Sequence, residues 1–155
     1  MLADKHVCVI LALCFSLICG MQVRAEQRST DTVKRGDDTL YYLNIRNPNL
    51  TQPVGSASEV ERAKFVQVEV VRVLNPRRRA LTFQVQYQPR GGARIYLGSF
   101  SLYPADNPGK FIVPTQGKVK DDGAIVLSML ILDKLNADDA VEVAVKAIRF
   151  VSGES

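Results

Sequence analysis

Apolar and polar residues alternate along most of the chain with a period of two, the spacing of a strand that buries one face. Ala80 to Gln88 is the cleanest run: Leu81, Phe83, Val85 and Tyr87 fall on one side, and Thr82, Gln84 and Gln86 on the other. Lys64 to Leu74 alternates through Val66, Val68 and Val70, while Phe65, Val71 and Val73 take the opposite face. The change of phase at Val70-Val71 implies either a bulge or burial of both faces. Ala140 to Val151 repeats this behaviour, with Val141, Val143 and Val145 on one face and Ile148 and Phe150 out of step, so a bulge is expected near Ala147. Thr39 to Ile45, Arg94 to Tyr103, Lys110 to Val113 and Ala124 to Leu132 complete a set of seven short strands.

Between these runs lie turn signals. Asn75-Pro76-Arg77-Arg78 separates the second and third strands and predicts an antiparallel hairpin. Gly91-Gly92 turns the chain again, and Asp121-Asp122-Gly123 is a strong hairpin signal. Thr51 to Ala63, containing Pro, Gly and Ser, reads as a connection; Asp133 to Asp139 is the only stretch with a helical look, about one turn long. Short β-branched strands at regular spacing mark an antiparallel sandwich or barrel. The expected fold is all-β: an antiparallel β-sandwich of about seven strands with one short helical turn, in a single domain over 39–155.

Ahead of that domain, Val7 to Cys19 forms an uncharged apolar run, followed by Val23-Arg24-Ala25, a small-residue cleavage pattern. A bilayer-spanning helix needs roughly 20 apolar residues, and this run ends at Gly20-Met21-Gln22. Residues 1–25 therefore read as a secretory signal peptide, and 26–38, polar and without hydrophobic period, as a flexible lead-in. Bulky Leu17-Ile18 before Cys19 argues against lipid attachment at that cysteine. Localisation is then periplasmic or extracellular. In a eukaryotic secretory pathway the sequon Asn49-Leu50-Thr51 would be an acceptor for a glycan, although chance is the better default for so short a motif.

Removal of the signal changes the chemical inventory. All three cysteines, Cys8, Cys14 and Cys19, and the only histidine, His6, depart with it, leaving 130 of the 155 residues with no Cys, His or Trp. Thiol and imidazole nucleophiles and the usual zinc, copper and haem sites lose their ligands. Carboxylate, lysine, tyrosine and calcium chemistry remain. Asp121-Asp122 and Asp138-Asp139 are the paired acids, each with an ordinary turn explanation; Glu59, Glu61 and Glu69 lie near a connection or on one strand. Asp133, Asn136, Asp138 and Asp139 could gather calcium, but their spacing is not that of an EF-hand loop. No enzyme activity, catalytic residue, metal or cofactor is expected.

Positive charge is uneven. Arg62, Lys64, Arg72, Arg77, Arg78, Arg79, Arg90 and Arg94 face one acid, Glu69, within the same stretch. Arg77, Arg78 and Arg79 at a hairpin tip would contact a phosphate, an anionic glycan or an acidic partner, or simply keep a Val-rich sheet soluble. Nucleic acid does not suit an exported chain, so envelope glycan or lipid headgroups are the anionic partners to weigh.

Three segments resemble the C-terminal domain of plant-type polyphenol oxidases. Lys64-Phe65-Val66-Gln67-Val68 stands where the family's Lys-Phe-Asp-Val motif opens the sheet, with Val66 in place of the aspartate. Gly98-Ser99-Phe100-Ser101-Leu102-Tyr103-Pro104 is similar to the family's Gly-Ser-Phe segment, and Leu127 to Val145 to its strand, acidic turn and Val-rich strand. The resemblance implies a β-sandwich that packs over a dicopper catalytic domain whose histidine ligands are not part of this chain. It implies an exported, noncatalytic accessory or binding protein with an oxidase-like enzyme as partner, and Tyr41, Tyr42, Tyr96 or Tyr103 as residues for a partner's pocket. The alternative is an envelope-associated protein that holds anionic glycan or lipid headgroups through Arg77, Arg78 and Arg79.

Overall fold

The computed structural model describes residues 32–35, 38–120, 122–136 and 139–152. Residues 1–25, read as a signal peptide, and Asp121 and Asp138 lie outside them. In chain order the described elements are β1 (Thr32–Arg35), β2 (Asp38–Asn44), β3 (Asn49–Pro53), α1 (Ala57–Arg62), β4 (Phe65–Leu74), β5 (Leu81–Gln88), β6 (Ile95–Ser101), β7 (Gly109–Pro114), β8 (Ala124–Ile131), β9 (Glu142–Lys146) and β10 (Arg149–Val151).

Two antiparallel sheets enclose one core, the β-sandwich that the alternation implies. The larger runs β1-β2-β9-β4, with β10 and β7 also paired to β4; the smaller runs β3-β8-β5-β6. Phe65 to Gln67 pairs with both β10 and β7, so these occupy opposite edges of β4. Leu81, Phe83, Val85 and Tyr87 of β5 are all buried, opposite Ile125, Leu127 and Met129 of β8. From the other sheet come Val66, Val68, Val70, Val143 and Val145. Phe83, Phe100 and Phe111 stack across β5, β6 and β7 with centroid separations of 5.0 and 4.1 Å, tying the two sheets at one side. Gly98 lets β6 approach β7 there, since a Cβ would stand 2.8 Å from Val113 Cγ1.

Both expected bulges are present. Val70 pairs with Val145 and Arg72 with Ala144, so Val71 is the extra residue of β4. The slip returns Val73 to the core and turns Arg72 outward. Val145 pairs with Val70 and Arg149 with Gln67, so the run read as one strand, 140–151, is β9 and β10 laid end to end with one surplus residue between them. That slip brings Ile148 and Phe150 into the core face. A bulge leaves backbone groups without ladder partners. Gln52 of β3 supplies them: its Nε2 donates to the Ile148 carbonyl and its Oε1 accepts from the Ile148 N–H, both at 2.8 Å. One amide thus closes the smaller sheet against the larger.

Several expectations about connections are corrected. The second and third strands do not form a hairpin, because β4 belongs to one sheet and β5 to the other; residues 75–80 cross between them. Asp122-Gly123 likewise lies between β7 and β8 in different sheets. Gly123 is still required, because a Cβ would collide with the Gln88 carbonyl and the Tyr87 ring. Only Gly91-Gly92 turns between true neighbours, β5 and β6. The segment read as a connection over 51–63 holds most of β3 and all of α1, while 133–136 and Asp139 are irregular. Ser56-Ala57-Ser58-Glu59 has the spacing of a capping box and falls at the start of the helix, although the Ser56 hydroxyl meets Ser58 Oγ and caps no backbone N–H; Val60 enters the core. Thr32–Arg35, placed in the lead-in, pairs with β2.

Gln52→Ala strips both partners from the buried Ile148 peptide groups and should cost about 2–4 kcal/mol in urea unfolding, whereas Gln84→Ala on the outer face should stay within about 0.5 kcal/mol. Equal losses at the two positions would show that the clamp adds nothing.

Candidate binding surface

The connections 75–80, 102–108 and 132–141 meet at one end of the sandwich, and Asn75 organises them. This asparagine is buried. Its Nδ2 donates to the carbonyls of Arg79 at 2.8 Å and Ala105 at 3.0 Å, and its Oδ1 accepts from the Arg79 N–H at 2.9 Å. The Arg78 N–H closes a turn on the Asn75 carbonyl, with Arg78 at φ 50°. A short polar side chain that satisfies its own turn is why Asn suits this position.

Arg77, Arg78 and Arg79 project from this crossover, and each meets a carboxylate. Arg77 Nη1 lies 3.2 Å and Arg79 Nη2 3.0 Å from the two oxygens of Asp139, whose side chain is only 1% exposed. Arg78 Nε pairs with Asp106 at 3.1 Å. The Ala80 N–H, next along the loop, donates to Asp133 at 2.8 Å. Asn136 adds to the cluster: with its amide oxygen turned to the guanidiniums it accepts from Arg77 and Arg79 at 3.0 and 3.1 Å. Two carboxylates, Asp139 and Asp106, thus serve the three guanidiniums, and Asp133 binds the backbone beside them. The arginines form an ionic joint between loops in which Arg79, 21% exposed, is largely sequestered, while Arg77 and Arg78 remain 46% and 74% exposed.

Carboxylate chemistry fares likewise. Asp122 accepts from the buried Tyr87 hydroxyl at 2.9 Å, and Glu69 lies 3.4 and 4.0 Å from Lys146 and Lys110. Asp139, considered as a calcium ligand with Asp133 and Asn136, directs both oxygens to guanidinium groups. Among the described residues no group of three or more His, Cys, Asp or Glu is gathered as a metal site would need. An open cleft of about 270 Å³ beside α1, lined by Arg62, Ser58, Phe150 and Ser152, carries no acid.

Exposed apolar side chains accompany the exposed Arg77 and Arg78 in these connections. Tyr103 is 95% exposed, and Leu74, Leu132 and Leu135 are exposed as well. Each belongs to a segment tied to 75–80: Leu74 precedes Asn75, the Leu132 N–H donates to the Ala80 carbonyl, and Ala105, beside Tyr103, receives Asn75. The four tyrosines are thereby separated. Tyr41 packs against the core, Tyr42 is half-buried, and Tyr96 donates its hydroxyl to Ser99; Tyr103 alone stands clear. The leucines gave no signal in the sequence, because an apolar residue at a strand end reads as core. Asn49 of the sequon is exposed on β3.

Comparison with known proteins returns no match: no family model, no curated protein and no solved structure aligns with the chain.

The Asp139 carboxyl is held below its ordinary value of 3.8 by the Asn136 N–H first, against the opposing effect of desolvation, and then by the Arg79 and Arg77 guanidiniums. A depressed folded-state value means that the stabilisation is complete above the ordinary value and is lost as pH falls through the folded one. Asp139→Asn should lower Tm at neutral pH, and its deficit relative to wild type should narrow as pH is taken toward about 3. A deficit that stays constant across that range would show that the carboxylate charge is not what holds the joint.

Proposed function

We propose that the protein is an exported, noncatalytic β-sandwich that acts by binding another protein through the loop end of the sandwich. The observation that carries this reading is the exposure of Tyr103, Leu132, Leu135 and Leu74 beside an arginine joint whose guanidiniums are paired with Asp139 and Asp106. Tyrosine and leucine side chains on a rigid support offer apolar area at little entropic cost, which suits a protein surface. An anionic glycan or lipid headgroup would have to displace Asp139 or Asp106 from the same guanidiniums. The class of partner, an exported oxidase-like enzyme, rests on the resemblance of residues 64–150 to the polyphenol oxidase C-terminal domain. Export rests on the apolar run Val7 to Cys19 and the Val23-Arg24-Ala25 site.

The exported protein is expected to begin at Glu26 by N-terminal sequencing, and a chain that retains Met1 would overturn export with cleavage. Residues 26–155 should capture a stoichiometric exported protein that stays bound at about 0.5 M salt, where surface ion pairs are screened. Tyr103→Asp with Leu132→Asp should release it, and Arg78→Ala should not. Binding that disappears with salt or with Arg78→Ala would instead favour the anionic-ligand reading.

A further inference from the structure

The register places alternate residues of β3, β8, β5 and β6 on the outer face of the smaller sheet, and none of them is Asp, Glu, Lys or Arg. This is unusual in a chain with 20 basic and 16 acidic residues. The outer face of the larger sheet follows the ordinary pattern, with Lys110, Glu69 and Lys146 in one ionic row and Arg72 paired with Glu142 in another. A solvated sheet face usually carries such charges, which also deter association of sheets. Their exclusion from one face is therefore a selective feature of the surface.

What replaces charge is a set of neutral hydrogen-bonding groups, interspersed with the apolar Pro53, Ala124, Val126 and Leu130. Gln84 and Gln86 on β5 lie opposite Ser128 and Val126 on β8, and opposite Ser99 and Tyr96 on β6. Val126 is 1% exposed although the register places it on the outer face. Among the described residues the amides of Gln84 and Gln86 have no hydrogen-bond partner, so each offers a donor and an acceptor outward. Outward groups repeat about every 6.7 Å along a strand and about every 4.8 Å across strands. At the margin, Tyr96 is half exposed with its hydroxyl fixed on Ser99 Oγ at 2.9 Å. Arg94 lies outside β6 and is bonded to Gln88 Oε1 at the end of the row.

We infer that this face is a binding surface for a neutral polysaccharide, with Gln84 and Gln86 bonding to sugar hydroxyls and the Tyr96 ring supporting a sugar's apolar face. The match is one of charge and of hydrogen-bonding type. Sugar hydroxyls donate and accept, as primary amides do, and a neutral chain brings no ion to desolvate. An ionic partner would find no complement within the four strands, the Arg94 guanidinium at the margin being bonded to Gln88. The surface is separate from the loop end around Tyr103, so this inference stands or falls independently of the protein-binding reading.

Affinity electrophoresis of residues 26–155 in gels containing a soluble neutral β-glucan, a neutral mannan or a neutral arabinoxylan provides the test, with polygalacturonate as the charged control. At least one neutral polymer should retard the protein, equally at low salt and at about 0.5 M salt, and polygalacturonate should not. The double substitution Gln84→Ala, Gln86→Ala and the single substitution Tyr96→Ala should each weaken retardation by about tenfold or more, with unchanged circular dichroism and Tm. Lys110→Ala, on the other sheet, should have no effect. Absence of retardation by all three neutral polymers, or retardation that salt abolishes, would overturn the assignment. So would self-association in sedimentation that Gln86→Glu disperses, because the face would then be a contact between two copies of this chain.

Discussion

A slip of one residue in each of two adjacent strands decides which side chains of the larger sheet reach the core. Strand alternation has a period of two, so an uncorrected run would turn Val73, Ile148 and Phe150 to solvent. Val71 in β4 and the surplus residue between β9 and β10 restore the phase. The correction exposes the Ile148 peptide groups, and Gln52 from the opposite sheet satisfies them. Bulge, clamp and core are thus one device. It matters more in a fold whose residues 26–155 contain no cysteine to staple them and must rely on burial and pairing.

Electrostatics partition the surface in a comparable way. At the loop end, Asp139 and Asp106 hold three arginines, so that ionic groups support the loops, and Tyr103 and leucines stand exposed beside them. Burying Asp139 is tolerable only because two guanidiniums and a backbone N–H surround it. One sheet keeps its charges on the outer face, where they solvate it; the other dispenses with them. A basic net charge therefore says little about where this molecule would meet a partner, since Arg72, Arg77, Arg78 and Arg79 of the basic segment are each paired with a carboxylate.

The strands themselves were legible in the chain because period two needs only local side-chain order. Leu81 to Tyr87 is as clean in the structure as in the letters, and even the bulges were written as breaks of phase. Three elements escaped. β1 lies in a polar stretch; β3 is short, preceded by Pro48 and ended by Pro53, so its buried Leu50 gives no apolar period; α1 is six residues long, with Val60 in the core, and only its capping spacing betrays it.

Alternation and turn residues specify that a strand forms and which side is apolar. They carry no information about which strand lies beside it, because pairing joins residues far apart in the chain. Asn75-Pro76-Arg77-Arg78 and Asp122-Gly123 have hairpin chemistry, yet both span the gap between sheets, since burying two apolar faces against each other outweighs a local turn preference. The same reason separates charge from surface. Arg77 and Arg79 find Asp139 some sixty residues on, and only the assembled sandwich brings that carboxylate to them and leaves an uncharged sheet facing outward.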